Sequence, residues 1–295
     1  MPTASPRRPR AVLERLTARG HAHEDDVTGP PDFVGVGTLN SGTQWWHSLL
    51  LRHPDIVGPR DRRELHFFEQ FCTREMTDAD IAAYHAAFPR PRGKLAGEWT
   101  PRYAYDVWAP GLLKRAAPDA KLLLLVSDPL ERYRDRLEQG PEEGDEAGDE
   151  QIFMADASAR GRYAVQLQNL LRSFDREQIL VLQQEQCLRD PAGQYVRTLR
   201  FLGVRDDVLP VNLRALTGDR GAQAYVAVRR RLGLARRRLR GRTPPATIRP
   251  ELWPDIELAL RTDLESDVGE LCALVPDIDL TLWPAFAHLA GAAAR

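Results

Sequence analysis

The hydrophobic positions of this chain fall into short strand-like runs separated by segments of helical period. Phe33-Val34-Gly35-Val36 is an apolar run ending at Gly37, and Trp45-Trp46-His47-Ser48-Leu49-Leu50-Leu51 beyond it has helical length and periodicity. Lys121-Leu122-Leu123-Leu124-Leu125-Val126 is continuous rather than alternating, which suits a parallel strand covered on both faces. It stops at Ser127-Asp128-Pro129, because proline cannot donate to a ladder, and a charged helical stretch follows from Leu130. Gln178-Ile179-Leu180-Val181-Leu182-Gln183 is a third strand. An amphipathic helix over residues 157–174 precedes it, and another over 191–202 follows, with Gly203 placed to cap it. This alternation predicts an α/β fold: a parallel sheet covered by helices.

Two charged segments interrupt the pattern. Residues 140–150 (GPEEGDEAGDE) read as a solvated acidic loop. Residues 225–242 (YVAVRRRLGLARRRLRGR) suggest a basic amphipathic helix, either a solvated face or an anion or partner site. Residues 1–30 lack a sustained apolar period and read as a flexible tail. Residues 31–290 are then a single domain, whose end is helical with Trp253 and Trp283 as packing anchors.

With 295 residues and 43% hydrophobic content the chain can bury a full core. Its net charge of −1 gives no global field to recruit nucleic acid. No apolar run is long enough to span a bilayer, and no signal-peptide pattern opens the chain, so a cytoplasmic location is expected. Cys72, Cys187 and Cys272 are scattered without metal-ligand spacing; reduced core thiols are expected and no metal centre. A homodimer is compatible with the sequence.

Gly37 and Gly42 have the spacing of a GxxxxGK[ST] phosphate loop, whose backbone N–H groups face a phosphate at a helix N-terminus. Thr43 and Gln44 stand where that motif has lysine and a hydroxyl residue. The Mg²⁺ ligand and the phosphate-binding point charge are both missing, which argues against an ATPase or GTPase.

Companion segments give the loop meaning. Residues 33–46 (FVGVGTLNSGTQWW) resemble the 5′-phosphosulfate loop of sulfotransferases, and residues 63–68 (RELHFF) resemble the Lys-Glu-x-His-Phe-Phe segment of the heparan-sulfate-type and related bacterial enzymes. Residues 97–103 (GEWTPRY) are similar to their Glu-Lys-Thr-Pro-x-Tyr segment, and residues 124–134 (LLVSDPLERYR) to their strand and 3′-phosphate motif. Residues 179–203 resemble their late strand and helix. The segments occur in family order over residues 32–286. The resemblance implies the sulfotransferase fold: a P-loop-like three-layer sandwich with a central parallel sheet of about five strands. It also implies the donor 3′-phosphoadenosine 5′-phosphosulfate (PAPS, giving PAP), and a hydroxyl or amine of a small molecule or glycan as acceptor. Leu39, Asn40, Ser41, Gly42, Thr43, Gln44, Ser127 and Asp135 fall at donor-contacting positions. Asn40 falls at the leaving-group stabiliser, Glu64 at the base and His66 beside the acceptor. Residues 72–92 and 140–153 fall in the variable acceptor loops.

Four charge-bearing positions depart from that pattern. Asn40 replaces a cation at the bridging oxygen, where losing one such donor costs about 3 kcal/mol of barrier. Ser127 replaces the arginine that grips the 3′-phosphate, and a hydroxyl offers no bidentate fork. Asp135 replaces a serine at the same phosphate, and Trp99 replaces the lysine of the Glu-Lys-Thr-Pro segment. Arg132, Arg134 and Arg136 lie close enough in sequence to supply cations instead.

Glu64 is the leading chemical residue: half-buried, with desolvation raising its pKa toward that of a general base. The competing reading is an ion pair with Arg63 or Arg102. His66 lines the acceptor pocket or is a hydrogen-bonded core histidine. His47, near the phosphate loop, is expected to pack or lie at the surface; Trp45 and Trp46 are expected in the core unless one lines the pocket; and Glu98 is expected to pair with Arg102 rather than face the active site. Three functions remain open: sulfuryl transfer; other chemistry on the same scaffold without PAPS (acyl transfer, elimination or cyclisation); and a non-catalytic ligand-binding relative.

Overall fold

A computed structural model describes residues 26–60, 64–139, 150–210 and 253–291. The first half runs β1 (Val27–Thr28), β2 (Phe33–Gly37), α1 (Thr43–Leu50), β3 (Ile56–Val57), α2 (Asp78–His85), β4 (Pro89–Arg90) and β5 (Leu95–Trp99). It continues with α3 (Ala109–Ala116), β6 (Lys121–Val126), α4 (Pro129–Gln139), α5 (Glu150–Ala159) and α6 (Tyr163–Leu171). Then come β7 (Ile179–Gln183), α7 (Gln184–Arg189), α8 (Pro191–Leu202) and α9 (Trp253–Leu274). Short 3-10 turns join some of these elements.

Five strands form one sheet in the order β3-β5-β2-β6-β7, every neighbouring pair parallel. Leu122, Leu124 and Val126 join Val34, Val36, Ile179 and Val181 in the core on one face. Leu123 and Leu125 join Phe33, Leu180 and Leu182 in the core on the other. That division explains the unbroken apolar run of β6: side chains alternate across the sheet, and both faces are covered. Truncating a central leucine such as Leu124 to alanine removes contacts worth about 2–5 kcal/mol. The expected three-layer α/β sandwich is the observed architecture.

Chain order reverses about β2, since the chain goes first to β3 and β5 on one side and then to β6 and β7 on the other. In open α/β sheets, ligands bind beyond the carboxyl ends of the strands at this reversal. Gly37, Trp99, Val126 and Gln183 end the four strands there.

Three expectations need correction. The helix placed at 157–174 is two helices, α5 and α6, separated at residues 160–162. The carboxylate of Asp267 on α9 accepts the backbone N–H groups of Ala164 (3.1 Å) and Val165 (3.2 Å), restarting the helix from a distant element. The end of the expected tail is a strand, with β1 paired antiparallel to β4, while residues 1–25 lie outside the described residues. Cys72 is exposed; only Cys187 and Cys272 are buried. Other expectations are met: Gly203 ends α8 at φ 84°, and Trp283 is fully buried. The acidic loop at 140–149 and the basic segment 225–242 lie outside the described residues. Among the described residues, no helix is long and apolar enough to cross a membrane.

Candidate functional site

The loop from Thr38 to Gly42 leaves β2 and turns into α1. Thr38 ties it to β6, its N–H and Oγ1 both donating to the Leu125 carbonyl at 2.8 and 2.9 Å. Thr38 Oγ1 also meets Ser41 Oγ at 2.6 Å, and Ser41 Oγ meets Ser127 Oγ at 2.8 Å. Asn40 and Gly42 have left-handed backbones, φ 66° and 82°. Asparagine is among the few side chains that tolerate this conformation, and glycine adopts it freely. At Gly42 a second constraint applies, because a Cβ would lie 2.7 Å from the Gln184 amide nitrogen.

Gly42 is the N-cap of α1, with no side-chain cap and no acidic residue in the first turn. The leading N–H groups of a helix have no intrahelical acceptor, and the helix dipole makes that end attractive to an anion. Leu39 and Asn40 are half-buried, Ser41 and Thr43 buried, and Gln44 exposed. The arrangement is a cradle of backbone donors at an uncapped helix start, a geometry suited to an anion.

Gln44 links this cradle to the HFF segment, its Nε2 donating to Glu64 Oε1 at 3.2 Å. His66 has a left-handed backbone, φ 51°, which turns its ring back so that Nε2 lies 3.2 Å from Glu64 Oε2. Its Nδ1 makes a close contact with Glu69 Oε1. Burial alone would lower the imidazole pKa, but hydrogen bonds and charge from Glu64 and Glu69 outweigh it and push it up to about 10. The ring is therefore an imidazolium at neutral pH, held between two carboxylates. For Glu64, burial raises the pKa, but hydrogen bonds from His66 and Gln44, with the positive field of His66 and His47, lower it overall. This corrects the expectation of a raised Glu64 pKa.

Beneath this group lies Glu98, fully buried on β5. It accepts from Tyr84 OH (2.7 Å), Thr100 Oγ1 (2.6 Å), Tyr103 OH (3.3 Å) and the Leu65 N–H (3.4 Å). Tyr103 OH in turn accepts the Phe67 N–H at 2.9 Å. Burial raises the Glu98 pKa against these hydrogen bonds. Glu98 thus fixes the backbone that carries Glu64 and His66. It does not pair with Arg102, whose Nε instead donates to both oxygens of Asp106 at 3.1 Å.

Trp99, which stands where the Glu-Lys-Thr-Pro segment has lysine, is buried against Gly35 and donates its indole N–H to the Gly37 carbonyl at 3.1 Å. It supports the start of the cradle from below.

The structure thus joins Ser127 to the cradle through Ser41, and Glu64 and His66 to it through Gln44. Asp135 lies half-buried on α4, and Arg63 is outside the described residues. Trp46 and His47 are buried, as expected of packing residues, with His47 6.2 Å from Trp99 between ring centres. Sequence reasoning missed Glu69, Gln184, Tyr163 and the hub role of Glu98. Only the spacing of Glu69, three residues beyond His66, carried a local signal.

No family model matches the chain. Heparan sulfate glucosamine 3-O-sulfotransferase 3B1 of Homo sapiens is 30% identical over 190 residues, covering 59% of this chain and 46% of that protein. Heparan sulfate glucosamine 3-O-sulfotransferase 6 of Mus musculus is 30% identical over 221 residues, covering 69% of this chain and 62% of that protein. The chain therefore spans about half the length of the curated relatives it matches first. A solved sulfotransferase from Alicyclobacillus acidocaldarius superposes with TM-score 0.61 at 23% identity, covering 87% of this chain and 99% of that one, a likeness of fold. Sequence likeness and fold agree: the chain is similar to sulfotransferases in sequence and has the sulfotransferase fold.

Proposed function

We propose that the protein transfers a sulfuryl group from PAPS to a hydroxyl or amine of a small molecule or glycan, with Glu64 as general base. The observation that carries this reading is the Gln44–Glu64 hydrogen bond of 3.2 Å. It sets an ionised carboxylate directly beside the helix end built to hold an anion.

The cradle fits the phosphosulfate end of such a donor by its chemistry. Backbone N–H groups at an uncapped helix start are neutral donors suited to an anion. Leu39, Asn40, Ser41, Gly42, Thr43 and Gln44 would hold that end, and the bound donor would supply the sulfuryl group and a phosphate leaving group. Asn40 offers an amide in place of a cation, so more of the leaving-group charge falls to the helix start and backbone donors. Glu64 accepts the proton of the acceptor O–H or N–H. His66 keeps that carboxylate ionised and aimed, and Glu69 holds the imidazolium from its other nitrogen.

Transfer of labelled sulfuryl from PAPS to a panel of alcohols, phenols, amines and glycans tests the reading. Turnover is expected with at least one acceptor, and Glu64→Gln is expected to lower kcat about 10²–10⁴-fold while leaving PAP binding intact. Unchanged turnover in Glu64→Gln removes Glu64 from the base role.

A further inference from the structure

Gln184, the first residue after β7, is 8% exposed. Its neighbours in the chain are each tied down. Gln183 exchanges two hydrogen bonds with the backbone of Asp279, its Nε2 donating to the carbonyl at 3.0 Å and its Oε1 accepting the N–H at 2.9 Å. Glu185 holds the Asp128 N–H and the Trp283 indole, and Gln186 Nε2 donates to the Asp277 carbonyl at 2.7 Å. Within this run of four, only the Gln184 amide has no hydrogen-bond partner among the described residues. An amide withdrawn from water without a partner costs about 1–3 kcal/mol, so the fold holds here a polar group that nothing in the chain satisfies.

Its position indicates what would satisfy it. The amide nitrogen is the atom nearest the open side of Gly42 beyond that residue's chain neighbours, 2.7 Å from where a Cβ would stand. Gly42 is the N-cap of α1, and its carbonyl accepts the N–H groups of Trp45 and Trp46 at 3.0 and 3.1 Å. The N–H groups of Gly42, Thr43 and Gln44, which precede those bonds, have no acceptor among the described residues. Backbone donors from the loop after β2 and a side-chain amide from the end of β7 therefore lie side by side, with β6 between the two strands. Donors gathered without an acceptor suit an anion.

We infer that Gln184 is a further binding residue of this site, its amide N–H donating to the anionic group held at the start of α1. This rests on the donor reading above, in which that group is the phosphosulfate end of a nucleotide, and adds a hydrogen bond from β7 to those of the β2–α1 loop. The fixed neighbours give the side chain its aim: with Gln183 and Gln186 bound to the C-terminal segment, and Glu185 to that segment and β6, the residue between them is left to the cradle. Gly42 leaves the room that the amide occupies. A hydrogen bond from a neutral amide to a charged group is stronger than one between neutral groups, and offsets part of the loss of a cation at Asn40.

Calorimetry on the full chain with two probes, alongside urea unfolding, tests this. Adenosine 3′,5′-bisphosphate carries the 5′ anion and adenosine 3′-monophosphate does not, and the parent is expected to prefer the bisphosphate. Gln184→Met, similar in length but without a donor, should weaken the bisphosphate about tenfold and change the 3′-monophosphate less than about twofold. Its urea midpoint should equal or exceed the parent's, because an unpartnered amide has been replaced by an apolar group. Gln184→Glu, the same shape with a negative charge, should weaken the bisphosphate more than about 100-fold. Gln184→Met decides the matter if Gln184→Glu does not fold. Variants that bind both nucleotides like the parent, or lose both equally, overturn the inference and leave the donor reading standing. A lower urea midpoint in Gln184→Met overturns it as well, since the amide would then cap the helix rather than await a ligand. A parent that binds neither nucleotide overturns the donor reading and the inference together.

Discussion

The residue that departs most from expectation is Glu64. Its neighbourhood in sequence suggests a carboxyl strengthened as a base by burial, yet the folded chain holds it below its usual range. The reason is the left-handed turn at His66, which brings the ring back onto its second neighbour in the chain. Sequence shows that these residues are close, but not that a positive φ makes them touch. A pH profile follows from the two shifts. Glu64 stays ionised above its lowered pKa, and His66 stays protonated until pH rises through about 10. The account predicts kcat/KM level from about pH 5.5 to about pH 9, with the acid limb moving upward in His66→Gln as burial is left opposed only by Gln44 and His47. A wild-type rise centred between about pH 6 and 7 contradicts it. Asn40 also has a conformational rationale, because a left-handed position favours asparagine over a long cationic side chain.

At the scale of elements, the strands and the glycine loop were legible because their signals are local. An apolar run buried on both faces, two glycines at loop spacing and a helical stretch with two tryptophans need no partner to be read. The supports of the loop were not legible. Trp99 lies over Gly35, where an added Cβ would fall 1.9 Å from the indole, so the small residue on β2 and the large one on β5 are a matched pair across neighbouring strands. Gly35→Ala is therefore expected to destabilise by about 1–3 kcal/mol or more, read as a lower urea midpoint. A midpoint unchanged from the parent would mean that the indole moves freely. Glu98 was misread for the same reason: Tyr84, Thr100 and Leu65, which it joins, stand far apart in sequence or on different elements. The break before α6 likewise depends on Asp267, about a hundred residues away.

Across the whole molecule, the carboxyl edge of the sheet gathers the cradle, the Glu98 hub and a third acid, Glu185. Glu185 accepts the Asp128 N–H at 2.8 Å and the Trp283 indole N–H at 2.9 Å, tying β6 and α7 to the C-terminal segment. Burial pushes its pKa up to about 7 despite these hydrogen bonds. A carboxyl whose folded pKa exceeds its unfolded value of 4.5 binds more protons folded, so stability falls as pH rises from 4.5 toward 7 and levels above it. Urea unfolding should show a loss of up to about 3 kcal/mol over that window, reduced in Glu185→Gln. Stability that climbs from about pH 5 to about pH 8 would contradict this. The family order of the motifs made the global fold legible, whereas the charge environment of its site arises only on folding.

The central claim is that the sheet edge is still a nucleotide-donor site despite Asn40 and Ser127. Titration calorimetry of the full-length protein with adenosine 3′,5′-bisphosphate tests it most directly. The account predicts saturable binding with Kd on the order of micromolar, about 8 kcal/mol of binding free energy. No heat of binding at about 1 mM nucleotide, from a protein shown to be folded, would contradict it.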